Sequence, residues 1–389
     1  MVGPSLADRG VGAARSFGIL STFPPTACGI ATFSAALAAG LIANGATVDV
    51  VRCGETERVE DPLVVATTVP RVGDGSWAAV DALNDVDVAI VQHEYGIHGG
   101  PDGDEVIEIL EGLDVPSVVV AHTVLRRPTA HQRSVLERVC AAADAVVVMT
   151  EHAQRRLVGD FDVDAARVTV IPHGATTPST DDRHGARRRP GDPLRVLTWG
   201  LLGPGKGIEW AIDAMAVLHD VRPRPRYLVA GATHPKVRAR DGESYREMLV
   251  ARSWRNGAAA AVSFDDSYRD LPALTGLIGA ADLVILPYDS DDQVTSGVLV
   301  DAVASGRPVI ATAFPHAVEL LGGGAGVVVP QRDAGAIADV VRGLVEHPEQ
   351  LAQMAAECRR LAPELSWPAV ARRYDELAES LLVGAGIGT

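Results

Sequence analysis

Aromatic side chains make up only 4% of the 389 residues, and cysteine occurs four times. Cys28, Cys53, Cys140 and Cys358 stand far apart, without the spacing of a metal site or a disulfide framework, so reduced thiols are expected. Long apolar runs are missing too. No stretch reaches the roughly 18 apolar residues of a membrane helix, and residues 1–15 lack the apolar centre of a secretory signal. The expectation is a cytoplasmic protein without a transmembrane segment, with peripheral membrane contact and oligomeric state left open. Basic residues are outnumbered 35 to 50, giving a formal charge of −15 that repels nucleic acid over most orientations. A small anion is still admissible wherever donors cluster locally.

What is present is apolar, at 47% hydrophobic residues, and it leans on alanine and valine. Such a composition suits parallel strands covered by alanine-rich helices. The length predicts two domains. Short β-branched runs alternate with helical stretches throughout, the pattern of βαβ units. Strands are expected at Phe17–Ser21, Thr47–Arg52, Val86–Gln92, Ser117–Ala121, Ala145–Met149 and Val168–Ile171, a complete doubly wound sheet. A second series is expected at Leu194–Trp199, Tyr227–Ala230, Ala261–Phe264, Leu283–Leu286, Val309–Ala311 and Gly326–Val329. Between them lies a polar stretch rich in Thr, Asp, Arg and Pro. The fold class is therefore α/β, with one Rossmann-like domain over 16–175, a linker over 176–193 and a second Rossmann-like domain over 194–365. Residues 366–389 complete the chain with a tail and an amphipathic helix from Trp367 to Leu382, expected to cross back to the first domain. Ligands bind at the carboxyl ends of such sheets, so a cleft between the two is the expected site.

Five strand exits carry polar motifs. The first runs from Ser21 through two prolines to Cys28 and Gly29, then opens a helix; its single glycine serves a tight connection or the approach of a phosphate to backbone amides. The second, Gln92 to Gly100, gathers His93, Glu94, Tyr95 and His98, more polarity than a simple connection needs. A histidine follows the next strand at position 122 and another, His173, ends the sheet; each reads as a satisfied core group or a ligand contact. The fourth, Gly200 to Gly207, joins Gly203, Gly205 and Lys206 at a helix N-terminus. Free amides, a positive dipole end and a mobile cation are what a diphosphate requires. It differs from a P-loop in spacing and in lacking Ser or Thr after the lysine. In the fifth, Gln293, Thr295, Ser296, Gly297 and Val298 open a helix, and Asp301 lies about 6 Å further along its axis, within reach of a ribose. Acidic pairs such as Asp85 and Asp87, Asp265 and Asp266, or Asp291 and Asp292 are ordinary in acidic turns, so no metal is expected.

Taken together these motifs resemble the retaining nucleotide-sugar glycosyltransferases of family four, which have the two-domain GT-B fold. The resemblance spans Phe17 to Leu382 and includes a bacterial branch with matching segments at Pro24 to Phe33, Gln92 to Gly96, Gly231 to Pro235 and Gln293 to Gly297. It implies a nucleotide diphosphate sugar as donor substrate, UDP or GDP first, with a hydroxyl acceptor and no cofactor. Gly29 would lie near the donor phosphates, His122 near the donor sugar and Lys206 on the diphosphate. His93, Glu94 and Tyr95 would face the acceptor. Gln293 and Asp301 occupy the places of two family glutamates, the first facing the sugar and the second the ribose. Leu201 and Leu202 stand where the family has an arginine, so Lys206 carries more of the phosphate load, helped by His173, His234 or Lys236. Lys206, His122 and Gln293 form the expected catalytic set. A phosphorylase, an epimerase or a non-catalytic sugar-binding relative would use the same grips.

Overall fold

The computed structural model describes residues 14–26, 28–54, 60–68, 75–176, 189, 191–267, 269–289 and 295–386. These form two compact units. The first comprises the residues up to Gly174 together with those from Trp367 onward, and the second is Ala175–Ser366.

Among the described residues the first unit contains strands β1 (Ser16–Ser21), β2 (Thr47–Cys53), β3 (Val64–Thr68), β4 (Val88–His93), β5 (Ser117–Ala121), β6 (Ala145–Val148) and β7 (Val168–Val170). All pair in parallel, in the order β3-β2-β1-β4-β5-β6-β7. The second unit repeats the plan with β8 (Arg195–Trp199), β9 (Arg226–Ala230), β10 (Val262–Asp265), β11 (Leu283–Leu286), β12 (Val309–Thr312) and β13 (Gly326–Val329), ordered β10-β9-β8-β11-β12-β13. Central strands are buried along their whole length, as in β4 and β11. Helices on both faces force such strands to be continuously apolar.

The strand missing from the sequence reading is β3. It is a half-exposed edge strand, its Val65 facing solvent, so no buried run marks it. The helix Ile208–Val217 behaves as its periodicity predicts, burying Ile208, Ala211, Ile212 and Met215 in the second core together with Leu218 just beyond it. The last helix, Trp367–Gly384, belongs to the first unit, where Trp367, Val370, Ala371 and Tyr374 share a core with Phe33 and Leu37. Gly40 on the helix Gly29–Ala43 lets the two helices close up, since a Cβ there would sit 2.7 Å from the Trp367 carbonyl oxygen.

Chain direction explains where the motifs fall. In each sheet the strand order reverses between neighbours, β1 beside β4 and β8 beside β11. The loops leaving those strands part to opposite faces and open a crevice at the carboxyl ends. The Gly29 and Gln92 loops leave the first switch point; the Gly200 and Ser296 loops leave the second.

Candidate functional site

At the first switch point the chain leaves β1 and enters the helix Gly29–Ala43 through Cys28, whose Sγ accepts the Ala31 amide at 3.3 Å and lies 3.2 Å from Thr22 Oγ1. This cap and the Thr32 amide bonded to the Cys28 carbonyl leave the Gly29 and Ile30 amides at the helix start. Gly29 is exposed, and a Cβ built on it meets nothing within 4 Å. Packing therefore does not demand glycine there.

The β4 exit is a knot of buried and half-buried polar groups. His98 donates from Nε2 to the Gln92 carbonyl at 2.8 Å, and its Nδ1 faces Cys53 Sγ at 3.6 Å. The Gln92 amide oxygen takes the Nε2 proton of His122 at 2.6 Å, and His173 donates from Nδ1 to the Gly174 carbonyl. Each of these rings is thus fixed in one tautomer, with the other nitrogen of His122 and His173 left as a bare lone pair. Burial drives all the histidines of this region toward the neutral form: His93 and His122 are pushed down to about 3, and His98 and His173 to about 4. Neighbouring imidazoles add to the effect on His93 and His122. Phe33 lies edge-on to His122, His173 and Trp367, with centroids 4.8, 5.1 and 4.9 Å away.

Of the three residues expected to face an acceptor, the structure turns two inward. His93 is buried with both ring nitrogens lacking a hydrogen-bond partner among the described residues, as do the Tyr95 hydroxyl and the Gln92 amide nitrogen. Each such group costs about 1–3 kcal/mol. Glu94 is half-buried, accepts the Thr123 hydroxyl and takes the Tyr95 amide at 3.1 Å.

The second switch point is built from glycines and cations. Gly207 caps the helix Ile208–Val217 in the left-handed conformation, at φ 61°, and a Cβ there would drive into the Pro287 carbonyl. Gly231, at φ 134°, is pressed equally closely on the Gly200 carbonyl. Only glycine meets both demands. The Gly200–Gly207 loop is stitched to the β11 exit: the Asp289 amide bonds the Gly205 carbonyl at 3.1 Å, and the Lys206 ammonium sits 4.4 Å over the Tyr288 ring. Tyr288 in turn reaches Ser296, its hydroxyl 3.4 Å from Oγ.

Ser296 caps the helix Gly297–Ala304 by accepting the Leu299 amide at 3.2 Å, while its own amide donates to Nδ1 of the buried His316 at 3.1 Å. Those bonds consume the outer pair of the four start amides and leave Gly297 and Val298. Val298 also borders Gly200, its Cγ2 3.6 Å from a Cβ built there. Asp301 follows on the same helix, half-buried among apolar residues. Burial pushes its carboxyl up to about 7, against the pull of a hydrogen bond from the Thr176 amide.

Lys206, Gly203, Gly205, Ser296, Gly297 and Val298 are thus gathered around one crevice, with Thr295 preceding the cap. Gln293, Asp291 and Asp292 fall outside the described residues. The remaining acidic pairs have structural occupations: Asp87 accepts the Ser16 amide and hydroxyl, and Asp265 is paired with Arg269. Among the described residues no group of three or more His, Cys, Asp and Glu is placed to hold a metal ion. Sequence reasoning missed Tyr288, His316, Phe33 and Trp367. Tyr288 alone left a signal, as an aromatic two residues beyond a buried strand beside the lysine loop; the others act only through tertiary contact.

Comparison with known proteins bears on the fold and the family. A family model described as Glycosyltransferase Family 4 matches residues 27–177, and one described as Glycosyl transferases group 1 matches residues 193–347. A D-inositol 3-phosphate glycosyltransferase of Corynebacterium efficiens is 28% identical over 68% of this chain and 65% of its own length. The enzyme of that name from Geodermatophilus obscurus is 30% identical over 70% of this chain and 62% of its own. The matched part thus spans just under two thirds of these relatives. Among solved structures, a glycosyltransferase from Rickettsia africae superposes with a TM-score of 0.73 at 14% identity, covering 95% of this chain and 99% of that one. Anabaena HepE in complex with UDP gives 0.72 at 17%, covering 94% and 100%. The fold of two parallel sheets with interleaved helices is that of the GT-B enzymes, and each half of the chain matches a glycosyltransferase family model, in order.

Proposed function

We propose that the chain moves a sugar from a nucleotide diphosphate sugar to an acceptor hydroxyl, holding the donor diphosphate at the switch point of the second sheet. The observation that carries this reading is that the Lys206 ammonium lies over Tyr288, whose hydroxyl reaches the Ser296 cap just ahead of the Gly297 and Val298 amides, which have no hydrogen-bond partner among the described residues, on loops joined by Tyr288, Gly207 and Asp289. Negative charge develops on the departing diphosphate, so donors fixed in advance at that point lower the barrier. Asp301 takes the ribose hydroxyls. Gln293, which lies outside the described residues, is assigned to the donor sugar. UDP is the first nucleotide to try, because HepE was solved with it. Glu94 and the loop around it meet the acceptor, and inositol phosphates head the screen because the relatives are named for that substrate.

In this proposal the reaction retains configuration and works without a metal. The acceptor proton passes to the leaving phosphate oxygen on the same face, so no separate base is needed. His122 and His173 suit such a scheme, since neutral rings tied to Gln92 and Gly174 orient hydroxyls without competing for charge. The test is an NMR analysis of product anomers from UDP- and GDP-sugar reactions, run with and without a chelator. A retained product formed in the chelator supports the scheme. An inverted product removes the same-face step, and chelator-sensitive turnover removes the metal-free one.

A further inference from the structure

The second unit holds one more basic cluster beside Lys206. The β9 exit is zipped onto the lysine loop: the Leu202 amide bonds the Ala232 carbonyl at 2.9 Å, and the His234 amide returns to the Leu202 carbonyl at 2.8 Å. Gly203 lies against Val237, with a Cβ built on it 3.2 Å from Val237 Cγ2. His234 accepts the Lys236 amide on Nδ1 at 3.2 Å, so its proton sits on Nε2 and the neutral ring is a donor. Burial, Lys236 and Lys206 all hold the His234 ring below its usual range, as expected for three such groups standing together.

The support beneath them is specific. Glu243 accepts the Thr233 hydroxyl and pairs with Arg238 at 3.3 Å, and Arg246 reaches both Glu243 and the Gly231 carbonyl. Tyr245, next to Arg246, is tied to Glu209 at 2.8 Å. The acids nearby are occupied: Asp289 takes the Trp210 ring N–H at 3.3 Å and faces Arg332 at 3.4 Å. Among the described residues neither Lys206 nor Lys236 has a carboxylate partner. Two cationic side chains on loops hydrogen-bonded to each other, without a carboxylate partner among the described residues, suit a ligand with more than one negative charge.

We infer that His234 and Lys236 complete the diphosphate grip with Lys206, supplying from the β9 loop the cation that Leu201 and Leu202 do not supply from the β8 loop. The inference rests on the donor reading above and adds two residues to it. Each phosphate of a nucleotide sugar bears a negative charge, and one ammonium matches one of them. Lys236 matches the other, and the His234 Nε2–H bridges between them as an uncharged donor.

Calorimetry with UDP and UMP, and with GDP and GMP, tests this on the full chain. Lys236→Ala should weaken the preferred diphosphate roughly tenfold and its monophosphate less than about twofold. Lys236→Arg should restore the difference, which a merely structural role would not. His234→Asn keeps a capping oxygen but removes the ring donor, and should weaken the diphosphate about threefold with an unchanged melting point. Equal losses for diphosphate and monophosphate, or no loss at all, overturn the inference while leaving the donor reading in place. Failure of the unaltered chain to bind either diphosphate, or UDP- and GDP-glucose, overturns the donor reading itself.

Discussion

The two units share a strand plan and fill its switch point in opposite ways. Both open helices there with a capped start that leaves two amides, Gly29 and Ile30 in one and Gly297 and Val298 in the other. Around the first lie buried and half-buried neutral imidazoles, polar groups without a partner among the described residues, and an aromatic wall of Phe33 and Trp367. The second has glycines no other residue can replace, a lysine over an aromatic ring and a carboxyl near neutrality. On the proposed reading, one scaffold carries a hydroxyl-orienting surface and an anion grip. The difference lies in loop residues, since both sheets are equally apolar.

Acid should separate the units most sharply. Buried His93 and half-buried His98, His122 and His173 bind protons in the unfolded chain at an ordinary value of 6.5 but in the folded chain only near 3 to 4. Their contribution is complete above pH 6.5 and is lost as pH falls toward 4, several kcal/mol in all by pH 5. Asp301 has the opposite sign: its raised value makes the fold hold a proton the unfolded chain releases, so its cost grows as pH rises from 4 to 7. Hydrogen exchange at pH 5 and 7.5 should therefore show protection falling in β4–β6 and holding in β11–β12. Equal losses in both sheets would erase the contrast.

Gly207→Ala follows, with roughly 3 kcal/mol lost to left-handed strain and the clash with Pro287, read as a fall in the denaturant midpoint. Lys206→Ala should keep the fold and reduce turnover by roughly two orders of magnitude; near-normal rates would sink the diphosphate assignment. Gly29→Ala sharpens the comparison with Gly207: the new methyl meets no protein atom, so stability should hold or rise by about 0.5 kcal/mol while the donor KM increases. The smallest change is expected for His93→Phe. Removing a ring with two unpaired nitrogens should hold the melting point or raise it by a few degrees, whereas a large fall would mean that the imidazole is satisfied after all.

The sheets were legible because parallel strands buried on both faces announce themselves as β-branched runs between glycines. The edge strand β3 was not, since its burial is partial and its pattern weak. Lys206 and Ser296 could be read because helix starts carry local signals. The ionisation of Asp301 was foreshadowed by its apolar neighbours, Val300, Ala302 and Val303. No local pattern reveals that Gln92 would lock His122, that His316 would consume the Ser296 amide, or that His234 would fold back beside Lys206. These are contacts between strand ends far apart in sequence, and only the strand order brings them together.

The central claim is the position of the anion grip. Hydrogen exchange of the full chain with and without saturating UDP or GDP, whichever raises the melting point, tests it most directly. Protection of the amides from Gly203 to Gly207 and at Gly297 and Val298 is predicted. Protection confined to the histidine loops of the first unit, or none at either switch point, would contradict it.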